Sequence, residues 1–192
     1  MSFFYLTTYK NTRGLLAAVV LAIVAIISSS ASAAMASTKN SLNNTDAIPK
    51  NVIIDKVFVD KSKRILQLLS DNKVIKTYHV ALGGNPTGHK QKQGDSRTPV
   101  GSYNLDYKNE KSKFYRSIHV SYPNAADKAF AKKLGVSPGG DIMIHGQKNG
   151  FGALASITQK LDWTEGCIAV TNDEIDEIMA AVKVGIAIEI IE

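Results

Sequence analysis

The chain has 192 residues, 23 Lys and Arg against 17 Asp and Glu, 44% hydrophobic residues and one cysteine. That length predicts about one domain plus an appendage, and the balance of charged and apolar residues excludes a wholly disordered or collagen-like chain. One cysteine excludes a disulfide-stapled scaffold and any Cys-rich zinc or iron–sulfur centre. The net charge of +6 is spread over scattered lysines, without a zinc-finger, RRM or helix-turn-helix pattern, so no nucleic-acid partner is expected.

Lys10 and Arg13 precede a 14-residue apolar run, residues 14–27, and a small-residue stretch containing Ala31-Ser32-Ala33 and Ala34-Met35-Ala36. A basic start, a short apolar core and A-x-A sites describe a secretory signal peptide over residues 1–36, cleaved after Ala33 or Ala36. Left uncleaved, the uncharged stretch over residues 14–35 would be a membrane anchor. Either way the folded part is expected outside the cytoplasm. Residues 37–50 are polar, Asn-rich and aperiodic, the pattern of a flexible linker.

From residue 51 onward the pattern is mainly β. Residues 52–59, 64–70 and 74–81 read as three strands of an antiparallel meander, separated by short turns. Residues 83–99 form a long Gly/Pro-rich loop, expected to be a mobile wall of a site. Strands are then expected at 101–107, 117–121 and 141–146, with a helix over 123–134 that stops at Gly135. Thr171 and Glu174 have capping-box spacing and open a second helix carrying Ile175, Ile178, Met179 and Val182. Residues 184–191 close the chain as a strand.

Of the four histidines, His79 and His119 fall inside strands and His89 in the lysine-rich loop, where it reads as solvated. His145 ends an apolar strand and is followed by Gly146. Cys167 comes 22 positions later, after Gly166. A thiol beside an imidazole is an activated nucleophile, and a glycine before it lets backbone N–H groups converge on an oxyanion. A zinc site would need further well-spaced ligands, and no second thiolate exists, so no metal is expected.

Two ordered segments resemble the YkuD-type L,D-transpeptidases. Residues 94–103, GDSRTPVGSY, are similar to the family's G-D-x-x-T-P-x-G-x-[FY] segment, and Ile144-His145-Gly146 with Gly166-Cys167-Ile168 is similar to its His-Gly…Gly-Cys signature. The resemblance implies a β-sandwich or barrel-like catalytic domain over residues 51–192, with a few short helices and no cofactor. It implies Cys167 as nucleophile, His145 as base in a thiolate–imidazolium pair, the Gly146 carbonyl orienting the imidazole, and an oxyanion hole of N–H groups at Gly166 and Cys167. The implied substrates are peptidoglycan stem peptides. The nucleophile attacks the carbonyl of the third stem residue, expels D-alanine, and an amine resolves the thioester.

Two residues depart from the common pattern. Glu165 stands where many members have a second histidine, and Ala169 where many have Arg or Asn. The TEGCIA sequence is similar to a Gram-negative-type subgroup in which some members hydrolyse linkages. With Ala169 unable to bind a substrate carboxylate, Arg97 and Arg116 are the candidate replacements. The resulting expectation is a periplasmic or envelope transpeptidase that forms cross-links or protein–wall links. A cysteine hydrolase of the same fold and a non-catalytic wall-binding module are the alternatives.

Overall fold

The computed structural model describes residues 47–192; the expected signal peptide and residues 37–46 of the expected linker lie outside them. Residues 47–50 are tied down: Val52 N–H donates to the Pro49 carbonyl (3.0 Å), and Ile48 packs against the core. Among the described residues, no helix is long and apolar enough to cross a membrane.

The first three strands, β1 (Lys56–Asp60), β2 (Ile65–Ser70) and β3 (Lys73–His79), form the expected antiparallel meander. Their period-2 pattern sends Val57, Val59, Leu66, Leu68 and Tyr78 inward, while His79 and Val74 stay exposed. β4 (Gly101–Ser112) and β5 (Tyr115–Val120) make a hairpin whose register shifts between Leu105 and Lys108 and again between Asn109 and Ser112. Such bulges bend the hairpin and re-aim its tip. β6 (Met143–His145), β7 (Ile168–Ala169) and β8 (Ala187–Ile191) complete eight strands in the order β3-β2-β1-β8-β4-β5-β6-β7. β8 pairs with β1 in parallel and with β4 antiparallel; β6 and β7 are parallel.

Chain just beyond β3 closes this sheet. Ala81 exchanges both backbone hydrogen bonds with Ala169 (2.9 and 2.8 Å), and Thr164 N–H donates to the Leu82 carbonyl (3.1 Å). The edges thereby meet, which gives the barrel-like form expected of this pattern. The enclosed core is mainly Ile, Val, Leu and Tyr from every strand, down to Ile144 of β6 and Ile168 of β7, each aliphatic side chain stabilising the fold by about 1.5–3 kcal/mol.

Helix α1 (Ala125–Lys133) starts at Asn124, whose side chain and that of Asp127 form a reciprocal capping box, and it ends before Gly135 in the left-handed region (φ 67°). A short 3-10 turn (Gly152–Leu154) runs into α2 (Ala155–Thr158), which the sequence pattern did not predict. α3 (Asn172–Ala181) opens on the Thr171–Glu174 capping box and buries Ile175, Ile178 and Met179 on one face. It packs against β5 and β6 and so backs the strand that ends in His145.

The loop over residues 83–99 is pinned, not a mobile wall. The Asp95 carboxylate accepts from Lys90 Nζ (2.8 Å) and from the N–H groups of Gln91, Lys92 and Arg97. Buried Lys61 donates to the Gly88 carbonyl (2.7 Å) and to Glu192 (2.9 Å). His89, 32% exposed, is likewise held at both ring nitrogens. Its Nδ1 accepts from Val100 N–H (3.0 Å), and its Nε2 lies 3.1 Å from Asp127.

Candidate active site

Parallel pairing of β6 with β7 sets His145 level with Ala169 and Ile144 level with Ile168. Extending that register by one residue puts Cys167 level with Met143, on the face that carries His145. The histidine is buried, at 2% exposure. Its Nδ1 lies 2.6 Å from the Gly146 carbonyl oxygen. A carbonyl can only accept, so Nδ1 carries the proton and Nε2 keeps its lone pair. Gly146 has no room for a side chain, since a Cβ would stand 2.7 Å from Asn172 Oδ1.

Phe114, from the tip of the β4–β5 hairpin, covers the imidazole with ring centroids 4.6 Å apart; Trp163 meets it edge-on at 5.7 Å. Burial in this aromatic surround pushes the His145 pKa down to about 4, against the Gly146 carbonyl, which raises it.

Cys167 is half-buried and unpaired with any other cysteine. Its thiol is 3.6 Å from the Asp141 carbonyl, and no hydrogen bond joins it to His145. Burial raises its pKa most, Asp141 adds to this, and the Met143 N–H and Lys90 charge oppose it. Both shifts favour a neutral thiol and a neutral imidazole. Burial thus opposes both charged forms of the expected thiolate–imidazolium pair.

The turn before Cys167 is held by Thr164. Its buried hydroxyl donates to the Cys167 carbonyl (2.7 Å) and accepts from Gly166 N–H (3.1 Å). Gly166 sits at φ 123°, where a Cβ would lie 2.4 Å from the Arg97 carbonyl oxygen. Glycine is thus required for close approach of the two loops. Its N–H, expected in an oxyanion hole, is already occupied by Thr164; the Cys167 N–H is not so engaged.

The fold brings Cys167, His145, Gly146, Gly166 and the backbone of Arg97 together. The Arg97 guanidinium makes no ion pair among the described residues, and its buried Nε has no partner. Arg116 is different. Its carbonyl accepts from Gly146 N–H (3.2 Å), but its side chain is taken by Asp176 (2.6 Å) and Glu110. A cation already held by two carboxylates is a poor receiver for a third. Glu165 accepts from Ser96 Oγ (2.7 Å), tying the turn to the 83–99 loop. Sequence reasoning missed Phe114, which has no motif around it, and the roles of Trp163 and Thr164, which lie within the quoted cysteine segment.

The sequence profile of the YkuD L,D-transpeptidase catalytic domain matches residues 54–190. YafK of Escherichia coli K12, whose name places it among the L,D-transpeptidases, is 27% identical over 169 residues, covering 84% of this chain and 61% of YafK. The chain therefore spans less than two thirds of that relative. The fold is similar to that of the helical cell shape determining protein Pgp2 of Campylobacter jejuni, with a TM-score of 0.56 and 24% identity over 81% of this chain and 53% of Pgp2. It is also similar to Bd1075 of Bdellovibrio bacteriovorus, at TM-score 0.51 and 21% identity over 76% and 50% of the two chains. The chain belongs to the YkuD family of L,D-transpeptidase catalytic domains.

Proposed function

We propose that this family member is an exported cysteine acyltransferase of the cell envelope, which takes an acyl group from a peptidoglycan tetrapeptide stem and passes it to an amine. The observation that carries the reading is the shared face of Cys167 and His145, with Nδ1 of the imidazole tied 2.6 Å from the Gly146 carbonyl and Nε2 left free.

In the first half-reaction Nε2 takes the thiol proton as Sγ attacks the third-residue carbonyl. Proton transfer coupled to attack suits a pair that rests neutral, since the charges form only when substrate is present to compensate them. The Cys167 N–H faces the developing oxyanion. The C–N bond then breaks, and the imidazolium proton leaves on the amino group of D-alanine. In the second half-reaction an acceptor amine attacks the thioester, the C–S bond breaks, and the amine proton returns through His145 to Sγ. No step needs a metal or cofactor. The unpaired Arg97 guanidinium is the residue assigned to the stem carboxylate.

A second reading replaces the amine by water, giving a carboxypeptidase, endopeptidase or protein–peptidoglycan amidase. It is favoured by Ala169, which is fully buried and offers no polar group to an acceptor. A wall-binding module is the third reading. Incubating the mature protein with a tetrapeptide muropeptide separates them. Dimers mean transfer, shortened monomers without dimers mean hydrolysis, and unchanged substrate means binding alone. Pgp2 is described as determining helical cell shape, and a role in wall architecture is part of the present proposal.

A further inference from the structure

Asn149 helps fasten the β4–β5 hairpin tip beside His145. Its Oδ1 accepts from Tyr115 N–H (2.9 Å), its Nδ2 donates to the Ser112 carbonyl (3.1 Å), and its N–H donates to the Lys113 carbonyl (3.1 Å). Tyr115 holds a left-handed backbone (φ 66°), which completes the bend. The residue in the middle of this staple is Phe114, with its ring 4.6 Å from the imidazole and 5.9 Å from Trp163. A long hairpin with two register shifts is thus bent to lay one aromatic ring on the base.

We propose that Phe114, held by Asn149, is a positioning residue: it covers one face of His145, keeps water from the ring and fixes its plane so that Nδ1 stays on the Gly146 carbonyl while Nε2 is left to receive the thiol proton. The proposal rests on the acyl-transfer reading for the role of His145, but not for the shielding itself. A ring that is free to tilt loses either the carbonyl or its alignment with sulfur. A ring reached by water gains a proton in mild acid and can no longer act as a base.

Among the described residues no charged side chain is bonded to His145. Among the described residues, those beside His145 include Ser117 on β5, Phe114 on the hairpin tip, Trp163 and Cys167 on the turn, and Ala169 on β7. Arg116 is held by Asp176 and Glu110, Tyr115 by Asp176, Lys148 lies over the Phe151 ring, and Glu165 is bonded to Ser96. Lys113 on the tip is exposed.

The test uses Phe114→Leu, Phe114→Tyr and Asn149→Ala in the mature chain. Ring-proton NMR reads the His145 titration directly, and intact-mass spectrometry reads acylation of Cys167 by a penem between pH 4.5 and 8. In the wild type the ring should titrate near 4. In Phe114→Leu and Asn149→Ala the midpoint should rise by about one to one and a half units, and acylation at pH 5 relative to pH 8 should fall about two- to fourfold. Phe114→Tyr should restore both. A merely structural role would lower acylation equally at every pH and leave the NMR midpoint in place, and that result overturns the proposal. So does a wild-type ring that titrates near its ordinary value. A shifted midpoint in a protein that no donor acylates would instead refute the acyl-transfer reading and leave the shielding standing.

Discussion

Replacing Thr164 by valine should cost about 3 kcal/mol of stability while preserving side-chain volume. The hydroxyl that is lost makes two hydrogen bonds, to the Cys167 carbonyl at 2.7 Å and from Gly166 N–H at 3.1 Å. Thr164 is 6% exposed, so the methyl that takes its place meets no solvent and forces no change of rotamer class. An unsatisfied buried backbone group costs about 1–3 kcal/mol, and two of them set the range at about 2–6. Gly166 is buried and keeps its full penalty, whereas Cys167 is half-buried and its carbonyl can be rehydrated, which brings the sum toward the lower half. Equilibrium unfolding in urea measures it directly, and Trp163, the one tryptophan in the chain, is the neighbouring fluorophore. Thr164→Ser retains the hydroxyl and should lose about 1 kcal/mol or less. A valine variant within about 0.5 kcal/mol of wild type, or a serine variant weaker than the valine one, would refute the assignment of the hydroxyl as the clasp of the nucleophile turn.

Cys167 should alkylate more slowly in the folded protein than in the denatured chain at pH 7, because burial raises its pKa; iodoacetamide labelling followed by mass spectrometry checks this, and faster labelling of the folded form would restore the ion-pair reading. His145 has its folded pKa depressed from 6.5 to about 4, so the unfolded chain binds more protons between those values. Stability should therefore fall by roughly 3 kcal/mol as pH drops through that window, and His145→Gln should flatten the slope in urea titrations at pH 4, 5 and 6.5. For Asp95, burial pushes the carboxyl up but Lys90 and three N–H donors outweigh it and hold it at about 2. That contribution is present above pH 4 and is lost between about pH 4 and 2, so Asp95→Asn should remove about 2 kcal/mol at pH 7 and almost nothing at pH 2. Arg116→Ala should change stability by less than about 1 kcal/mol and leave Cys167 acylation unchanged, because its partners are solvent-reachable carboxylates and its link to Gly146 is made by backbone.

Local pattern made much of this fold legible. Alternation in residues 52–79 encodes β1 to β3, because strands with one buried face must repeat every two residues, and the Thr171–Glu174 spacing encodes the start of α3. β7 escaped notice because two residues, Ile168 and Ala169, are too few for any periodicity. The 83–99 loop looked mobile because its composition is that of a free loop, whereas its anchors are Lys61 and Glu192, which are 131 residues apart in the chain. At the candidate site, the His-Gly and Gly-Cys pairs are local and therefore visible. The burial of the imidazole was not, because Phe114 and Trp163 are brought to His145 by a bent hairpin and a turn. Charge states are set by surroundings, and surroundings are mostly non-local.

The place of β8 in the sheet bears on how the chain acquires its structure. β8 comes after the other seven described strands in the chain, yet it lies between β1 and β4, joining the meander to the half of the sheet that carries His145 and Cys167. Until it pairs, β1 and β4 each present an open row of backbone donors and acceptors, a template for pairing with other chains. Closure of the sheet must therefore wait for residues more than 120 positions from β1, a high-contact-order step that slows folding. Truncation before Ala187 should then leave two half-sheets with facing raw edges that aggregate, and a chain held in that state would remain open to chaperones until β8 pairs.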